Sequence, residues 1–599
     1  MRPIVVVVLG VCGAALVGGC DMVTGGITIA RSGVSQAVIV VGEGAAPPER
    51  HAAGELAAFL REVTGATFPV CGGPGDGRPR LLVGPDAARL ADPAFSTAGL
   101  GPDGIVLRTV GSDLILAGGR PRGTLYAVYT FLGDEVGCRW WSSSASTIPR
   151  RSVLRIAPLD VRYVPPLEYR EPYWFDALDA DWAVRNRCNG HAAPLDARRG
   201  GKHIYAGFVH TFYSLIPPEK HFEAHPEWFS EIDAKRTADR AQLCLTNDAM
   251  RRELVKNLKA LLRANPAATI ASVSQNDWHG NCQCDRCAAI DKEEGSPAGS
   301  LIRFVNAVAE DIEGEFPHVA VSTLAYQYTR KPPRHVRPRG NVIVRLCSIE
   351  CSFSRPLVAL WRNRKFRADL IGWSKMCRRL YIWDYTTNFR HYLLPHPNLA
   401  VLGPNLRFFV AHHVKGVFEQ GAYQGGGAEM AELRAWMLAR LLWDPTQRTD
   451  RLVREFTDGY YGPAGRHVRA YLKVTHDAVA LSGDWLGCYS PPTAGFLSFK
   501  TLRAGWAHLA AAEAAVAGNP QLRRRVQVAQ LPVRYAFLTR WDDMRRQARA
   551  GGAAWPMADS ARAACDEFVR IAKANRIDRL SEGSTGFGPL REAVEKAGG

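Results

Sequence analysis

At 599 residues, 47% of them hydrophobic and 22% charged, the chain has ordinary globular composition and room for about three domains, which excludes a disordered or fibrous polypeptide. The formal charge of +17 raises nucleic-acid binding. The basic residues are scattered, however, dense only at Arg523-Arg524-Arg525 and Arg545-Arg546, without a zinc-finger, RRM or helix-turn-helix pattern, so nucleic acid is set aside in favour of a solvated basic face or an attraction for acidic glycans.

The first 20 residues read as a targeting segment. Arg2 supplies positive charge, Ile4 to Val17 an apolar run, and Val17-Gly18-Gly19-Cys20 the small residues and cysteine of a bacterial lipoprotein signal. Cys20 is the expected lipidated first residue of the mature chain, placing an exported protein on a membrane through its lipid anchor. No other run is long and apolar enough to span a bilayer.

Residues 36–158 read as a small, non-catalytic α/β domain. It holds strands at Val38–Val41, Arg80–Val83, Gly104–Leu107 and Leu114–Ala117, and helices at Glu49–Val63 and about Thr124–Glu135. The glycine-rich stretch from Gly118 to Gly123 lacks a GxGxxG or a Lys-Ser/Thr ending, so it is a turn into a helix rather than a phosphate cradle. From 159 to 450, apolar runs alternate with amphipathic helices. The strand candidates are Leu167–Trp174, His203–His210, Gln242–Thr246, Thr269–Asp277, Val319–Tyr328, Val342–Glu350, Leu380–Tyr385 and Gly416–Gly421. Eight such runs predict a (β/α)8 TIM barrel, with functional groups at the carboxyl ends of its strands. Residues 451–599 read as a helical domain, with helices at Arg503–Ala517 and Gln521–Ala550.

Four expected strands end in a carboxylate: Asp277, Glu350, Asp384 and Glu419. A charge at the end of a buried strand must be solvated by a cleft, paired or used, so these four are expected to converge on one pocket. Trp278, Tyr326, Trp383, Tyr385 and Tyr423 lie at or just beyond the same ends, and His210 closes the second run. Aromatic faces stack on sugar rings while carboxylates bind hydroxyls, so the set points to carbohydrate chemistry. Arg345, inside a strand, is expected to pair with a barrel carboxylate.

The segments FVHTFYSLIPPEKHFEAHPEWFSE (208–231), SVSQNDWHGNCQCDRC (272–287), LAYQYTRKPP (324–333), LCSIECSFSRP (346–356), YIWDYTTNF (381–389) and GVFEQGAYQ (416–424) resemble the bacterial domain-of-unknown-function 4838 family, which is linked to glycoside hydrolase family 163. The segment AAGELAAFLREVTGATFPV (52–70) resembles the amino-terminal domain of α-glucuronidases and β-hexosaminidases. The resemblance implies a barrel glycoside hydrolase, with endo-β-N-acetylglucosaminidase action as one form, on an acidic or N-acetylated glycan. By position in related barrels, Asn276 would hold the group at sugar C2 and Asp277 would be the general acid. An acetamido carbonyl could then serve as nucleophile with retention; otherwise Asp384, Glu350 or Glu419 supplies the second carboxylate. Related barrels often carry Glu where Asp277 stands, which keeps Glu419 as a second candidate for the acid. The alternative is a surface glycan-binding lipoprotein without turnover.

Cys282-x-Cys284-x-x-Cys287 has metal-ligand spacing. It reads as a structural zinc site, with Cys351, His279 or Cys347 as fourth ligand, or as a disulfide staple. Cys71, Cys138, Cys188, Cys244 and Cys565 read as small buried hydrophobes. No HExxH or facial triad marks a catalytic metal, and no cofactor is expected for the chemistry.

Overall fold

The computed structural model describes residues 26–73 and 75–597. Cys20 and the targeting segment lie outside the described residues. Among those described, no helix is long and apolar enough to cross a membrane.

The amino-terminal unit is a six-stranded sheet whose strands run, in spatial order, Asp160–Tyr163, Ile105–Val110, Asp113–Gly118, Arg80–Val83, Val38–Val41 and Val70–Cys71. Helix Pro47–Thr64 covers it, burying Leu56, Phe59, Leu60 and Val63 along one face at helical spacing. The second expected helix is divided: Gly123–Thr130 is α-helical, and Phe131–Val136 continues as a π-helix. The strand at Asp160–Tyr163 pairs with Ile105–Val110, so this unit extends past residue 158.

The central sheet is parallel. We label its strands β1 (Tyr169–Tyr173), β2 (Tyr205–Ala206), β3 (Ile270–Ser272), β4 (Ala320–Ala325), β5 (Val342–Cys347), β6 (Arg379–Tyr385) and β7 (Val414–Gln420). Their spatial order is β1-β7-β6-β5-β4-β3-β2. It holds seven strands where eight were expected, because Gln242–Thr246 forms none. That segment's residues 242–244 are buried, but their backbone is spent elsewhere: Gln242 N–H donates to the Gly280 carbonyl (3.1 Å), Cys244 N–H to the Trp228 carbonyl (2.8 Å), and Leu243 bridges Phe229. β2 therefore pairs directly with β3.

The sheet curls around Arg345. Its guanidinium carbon lies 5.3 to 5.7 Å from the rings of Tyr169, Tyr205, Phe208, Trp383 and Phe418, so strands at both edges share one interior. Arg345 donates to the Tyr205 hydroxyl. The expected barrel carboxylate is not its partner; aromatic faces solvate the buried cation instead. Between β1 and β2 the loop at Asn189 fills the seam. Arg170 N–H donates to Asn189 Oδ1 (2.9 Å), Asn189 N–H to the Arg170 carbonyl (3.3 Å), and His203 N–H to the Asn189 carbonyl (3.1 Å).

Amphipathic helices pack on the outside of the sheet. Asp248–Ala264 buries Met250, Leu254, Leu258 and Leu262, and its first turn is capped by Asn247 accepting from Met250 N–H. Beyond the sheet the chain is helical, including Thr449–Tyr461, Gly465–Ser482, Phe499–Ala515, Pro520–Leu538, Trp541–Ala550 and Ala561–Ala574.

Candidate active site

A cleft of about 270 Å³ opens over the carboxyl ends of the parallel strands. Tyr173, Phe208, Trp383, Tyr385, Tyr423 and Tyr489 wall it, and Asp277 and Glu582 are its carboxylates. Among the described residues, no Lys or Arg lines it.

Asp277 follows β3 and presents a side chain that is 61% exposed. The Tyr326 hydroxyl donates to Asp277 Oδ1 at 3.0 Å, while the Gln327 amide donates to that hydroxyl oxygen at 3.0 Å and so turns its proton toward the carboxylate. Burial first, and then the charge of Asp277, hold the Tyr326 phenol far above its ordinary pKa, so it stays a donor. His210 Nε2 lies 3.8 Å from Asp277 Oδ1. Its Nδ1 meets the Gln275 carbonyl at 2.7 Å; a carbonyl only accepts, so Nδ1 carries a proton. His210 has a φ of 56°, a left-handed conformation uncommon for residues other than glycine. Ser274 Oγ fixes it by accepting from His210 N–H at 2.9 Å.

Glu582 arrives from the segment after the last long helices. Its Oε1 accepts from the Gln420 amide at 3.1 Å, and Gln420 Oε1 accepts from the Trp383 indole at 2.8 Å, so one amide ties an aromatic wall to the second carboxylate. Burial, reinforced by the negative charge of Asp277, raises the Glu582 pKa above the ordinary carboxylate value. The Glu582 backbone is tied down by donating to the Phe389 carbonyl at 2.8 Å.

The cleft brings together Asp277, His210, Tyr326, Trp383, Tyr385 and Tyr423 of the residues expected from the sequence. The other three carboxylates are elsewhere. On β6 and β7, Trp383, Tyr385, Phe418 and Gln420 line the cleft, and strand alternation turns the intervening Asp384 and Glu419 to the opposite face. The two are register partners across neighbouring strands and both are buried. Burial pushes Asp384 up to about 6, with Ser348 Oγ hydrogen-bonded to it; burial and the charge of Asp384 raise Glu419 well above its ordinary value. Glu350 also misses the cleft: Ile349 lines it, while Glu350 is ion-paired with Arg330.

Asn276 is likewise spent. Its amide donates to the Ala241 carbonyl (3.0 Å) and its Oδ1 accepts from Tyr213 N–H (3.3 Å), leaving the side chain buried beneath the loop. The Trp278 indole donates to the same Ala241 carbonyl at 2.7 Å and does not line the cleft. Residues missed from the sequence are Glu582, Gln420, Tyr489, Tyr173 and Phe208. The Ser-Glu-Gly turn at 581–583 inside a helical region is the one local signal that could have marked Glu582.

The fourth neighbour of Cys282, Cys284 and Cys287 is Cys244, which had read as a core hydrophobe; the four sulfurs lie within 4.8 Å of one another. Cys347 instead lines the cleft, and Cys351 and His279 are not in the group.

A curled parallel sheet with an aromatic, two-carboxylate cleft over its carboxyl ends defines a barrel-like α/β protein. The DUF4838 domain of unknown function matches residues 140–473, and the chain belongs to that family. No curated protein matches it in sequence. Among solved structures it is similar to BtGH115A, a 4-O-methyl-α-glucuronidase with specificity for decorated arabinogalactans. That match has a TM-score of 0.58 and 12% identity over 95% of this chain and 80% of that one. It is also similar to CpGH84B, with a TM-score of 0.49 and 10% identity over 96% and 97% of the two chains. A further match is a GH138 enzyme targeting pectin rhamnogalacturonan II, with a TM-score of 0.44 and 10% identity over 92% and 94%. The first likeness is one of fold.

Proposed function

We propose that the protein is a glycoside hydrolase in which Asp277 and Glu582 are the working carboxylates. The observation that carries this reading is the pair itself: two carboxylates of unlike environment in one aromatic cleft. Glu582, half-buried and with a raised pKa, holds a proton at higher pH than an ordinary glutamate and suits protonation of the leaving oxygen. Asp277, open and oriented by the Tyr326 hydroxyl, is the partner that acts on the sugar carbon or on water. The cleft volume suits one sugar ring in its deepest part, with the rest of the glycan over the rim.

The finer reading, an N-acetylglucosaminidase whose substrate acetamido group is the nucleophile, needs a residue other than Asn276 to hold that group; Asp277 is our candidate. A thiazoline analogue of N-acetylglucosamine distinguishes the routes, since tight competitive inhibition is expected only if the acetamido carbonyl attacks. We also propose that Cys20 carries the lipid and holds the enzyme at the cell envelope. Cys20→Ser should move the protein from the membrane to the soluble fraction, and a variant still labelled with lipid refutes the site.

The test of the main reading is turnover of aryl glycosides and of a glycan panel by the wild type, Asp277→Asn and Glu582→Gln. Loss in both variants with glycan binding retained supports hydrolysis at this cleft. Binding without turnover in the wild type favours the non-catalytic, glycan-binding alternative.

A further inference from the structure

We propose that Cys244, Cys282, Cys284 and Cys287 bind one structural zinc ion, and that this ion fixes the loop bearing Asp277. Zinc bound by four thiolates at about 2.3 Å sets its sulfurs about 3.8 Å apart. Here the Cys244 sulfur lies 3.8 Å from that of Cys284 and 4.0 Å from that of Cys287, all four are buried, and none is in a disulfide. A bonded pair would need about 2.05 Å.

The surroundings are those of a thiolate cluster. Glu231 N–H points at the Cys282 sulfur at 3.4 Å, the Arg236 guanidinium lies 3.6 Å from it, and the Thr246 hydroxyl is 3.3 Å from the Cys287 sulfur. Four thiolates around a divalent ion leave two negative charges. Arg236 and the amino terminus of helix Asp285–Glu294, whose cap is Cys284, offset them. On binding, each thiol releases its proton to solvent and its sulfur donates a lone pair to the metal.

Two residues before Cys244, the Gln242 amide donates to the carbonyls of Asn276 (3.1 Å) and Trp278 (2.7 Å), and its oxygen accepts from Asn276 N–H (2.9 Å). Residues 241–244 therefore grip both sides of Asp277, and the ion would close the ring by joining Cys244 to Cys282 just beyond it. The metal's effect on turnover rests on the hydrolase reading; its presence does not.

The test is elemental analysis of the full chain purified without chelator, with thiol titration in denaturant and cobalt substitution. We expect about one zinc per chain and, with cobalt, the thiolate charge-transfer and intense tetrahedral visible bands of a four-sulfur site. Cys244→Ser and Cys287→Ser should each lower bound zinc by about tenfold or more. Metal-free protein, the four cysteines recovered as disulfides, iron in place of zinc, or a cobalt spectrum lacking thiolate bands would each overturn the proposal. If the cysteine variants fail to fold, the wild-type metal content and cobalt spectrum still decide it. Stoichiometric zinc in a protein that hydrolyses no glycan upholds the metal site and refutes the hydrolase reading.

Discussion

In the proposed reaction the Asp277 and Glu582 carboxylates would divide one task, because their surroundings differ. Asp277 is exposed and receives the Tyr326 hydroxyl, whereas Glu582 is half-buried and has a raised pKa. A general acid contributes about 10²–10⁴ in rate, so Glu582→Gln should lower kcat by about that factor on substrates with poor leaving groups and far less on dinitrophenyl glycosides. Asp277→Asn should lack this rescue. Rates measured on a leaving-group series check both; rescue of Asp277→Asn rather than Glu582→Gln would exchange the roles. Activity of the wild type should fall as pH rises through the raised Glu582 pKa, because the proton it must donate is then lost.

Asp384 and Glu419 should behave as stability residues. Asp384 titrates at about 6 when folded, against an ordinary 3.8, because burial disfavours its charge. The folded state keeps this proton where the unfolded state has released it. The stability it contributes is complete below pH about 4, falls as pH rises through about 6, and changes in all by on the order of 3 kcal/mol. Asp384→Asn should flatten that slope in urea titrations at successive pH values. Glu419→Gln should unfold at higher urea at neutral pH and keep its turnover; loss of turnover without loss of stability would show that the buried face takes part in the reaction.

At the scale of elements, strand positions were legible wherever an apolar run was both long and paired. Val342–Cys347 and Arg379–Tyr385 fall where the runs predict them. Gln242–Thr246 is also mostly apolar, at three of its five positions, but its burial serves the cysteine cluster and its hydrogen bonds go to 228 and 280. Apolar content reports burial, and only pairing makes a strand. The site was half legible for a related reason: a terminal carboxylate can be found in sequence, but which sheet face it takes depends on a one-residue phase, and that phase turned Asp384 and Glu419 away. Close packing at these ends is also testable. A Cβ on Gly421 would sit 2.0 Å from the Trp174 ring, whose indole donates to Thr386 Oγ1 at 3.0 Å. Gly421→Ala should therefore cost about 1–3 kcal/mol or more of stability, measured by urea unfolding, with kcat reduced because Gln420 is its neighbour. An unchanged unfolding midpoint would mean that the β7 end is not packed this way.

At the scale of the whole molecule, the cleft is completed by chain from outside the sheet. Tyr489 and Glu582 both come from the helical region, and Glu582 is held by a short segment in which Ile577 and Leu580 are buried. Ile577 packs where a Cβ on Gly427 would approach it to 2.3 Å, and the Leu580 carbonyl accepts from Tyr392 N–H at 2.8 Å. This irregular segment, which lies outside any helix or strand between Ala574 and Gly588, opens at lower free energy than a seven-stranded sheet with its covering helices. Activity should therefore disappear at lower urea than the loss of far-ultraviolet circular dichroism. Ile577→Ala should widen the gap, since deleting a buried isoleucine side chain costs about 2–5 kcal/mol and that cost falls on the segment carrying Glu582. The proposed zinc should remain until the sheet itself unfolds, because its four ligands lie in the loop at Cys244, the loop at 282–284 and the first turn of helix Asp285–Glu294, none of them in the Glu582 segment. If activity and circular dichroism fall together in both proteins, the Glu582 segment unfolds with the sheet and is not the weak point of the site.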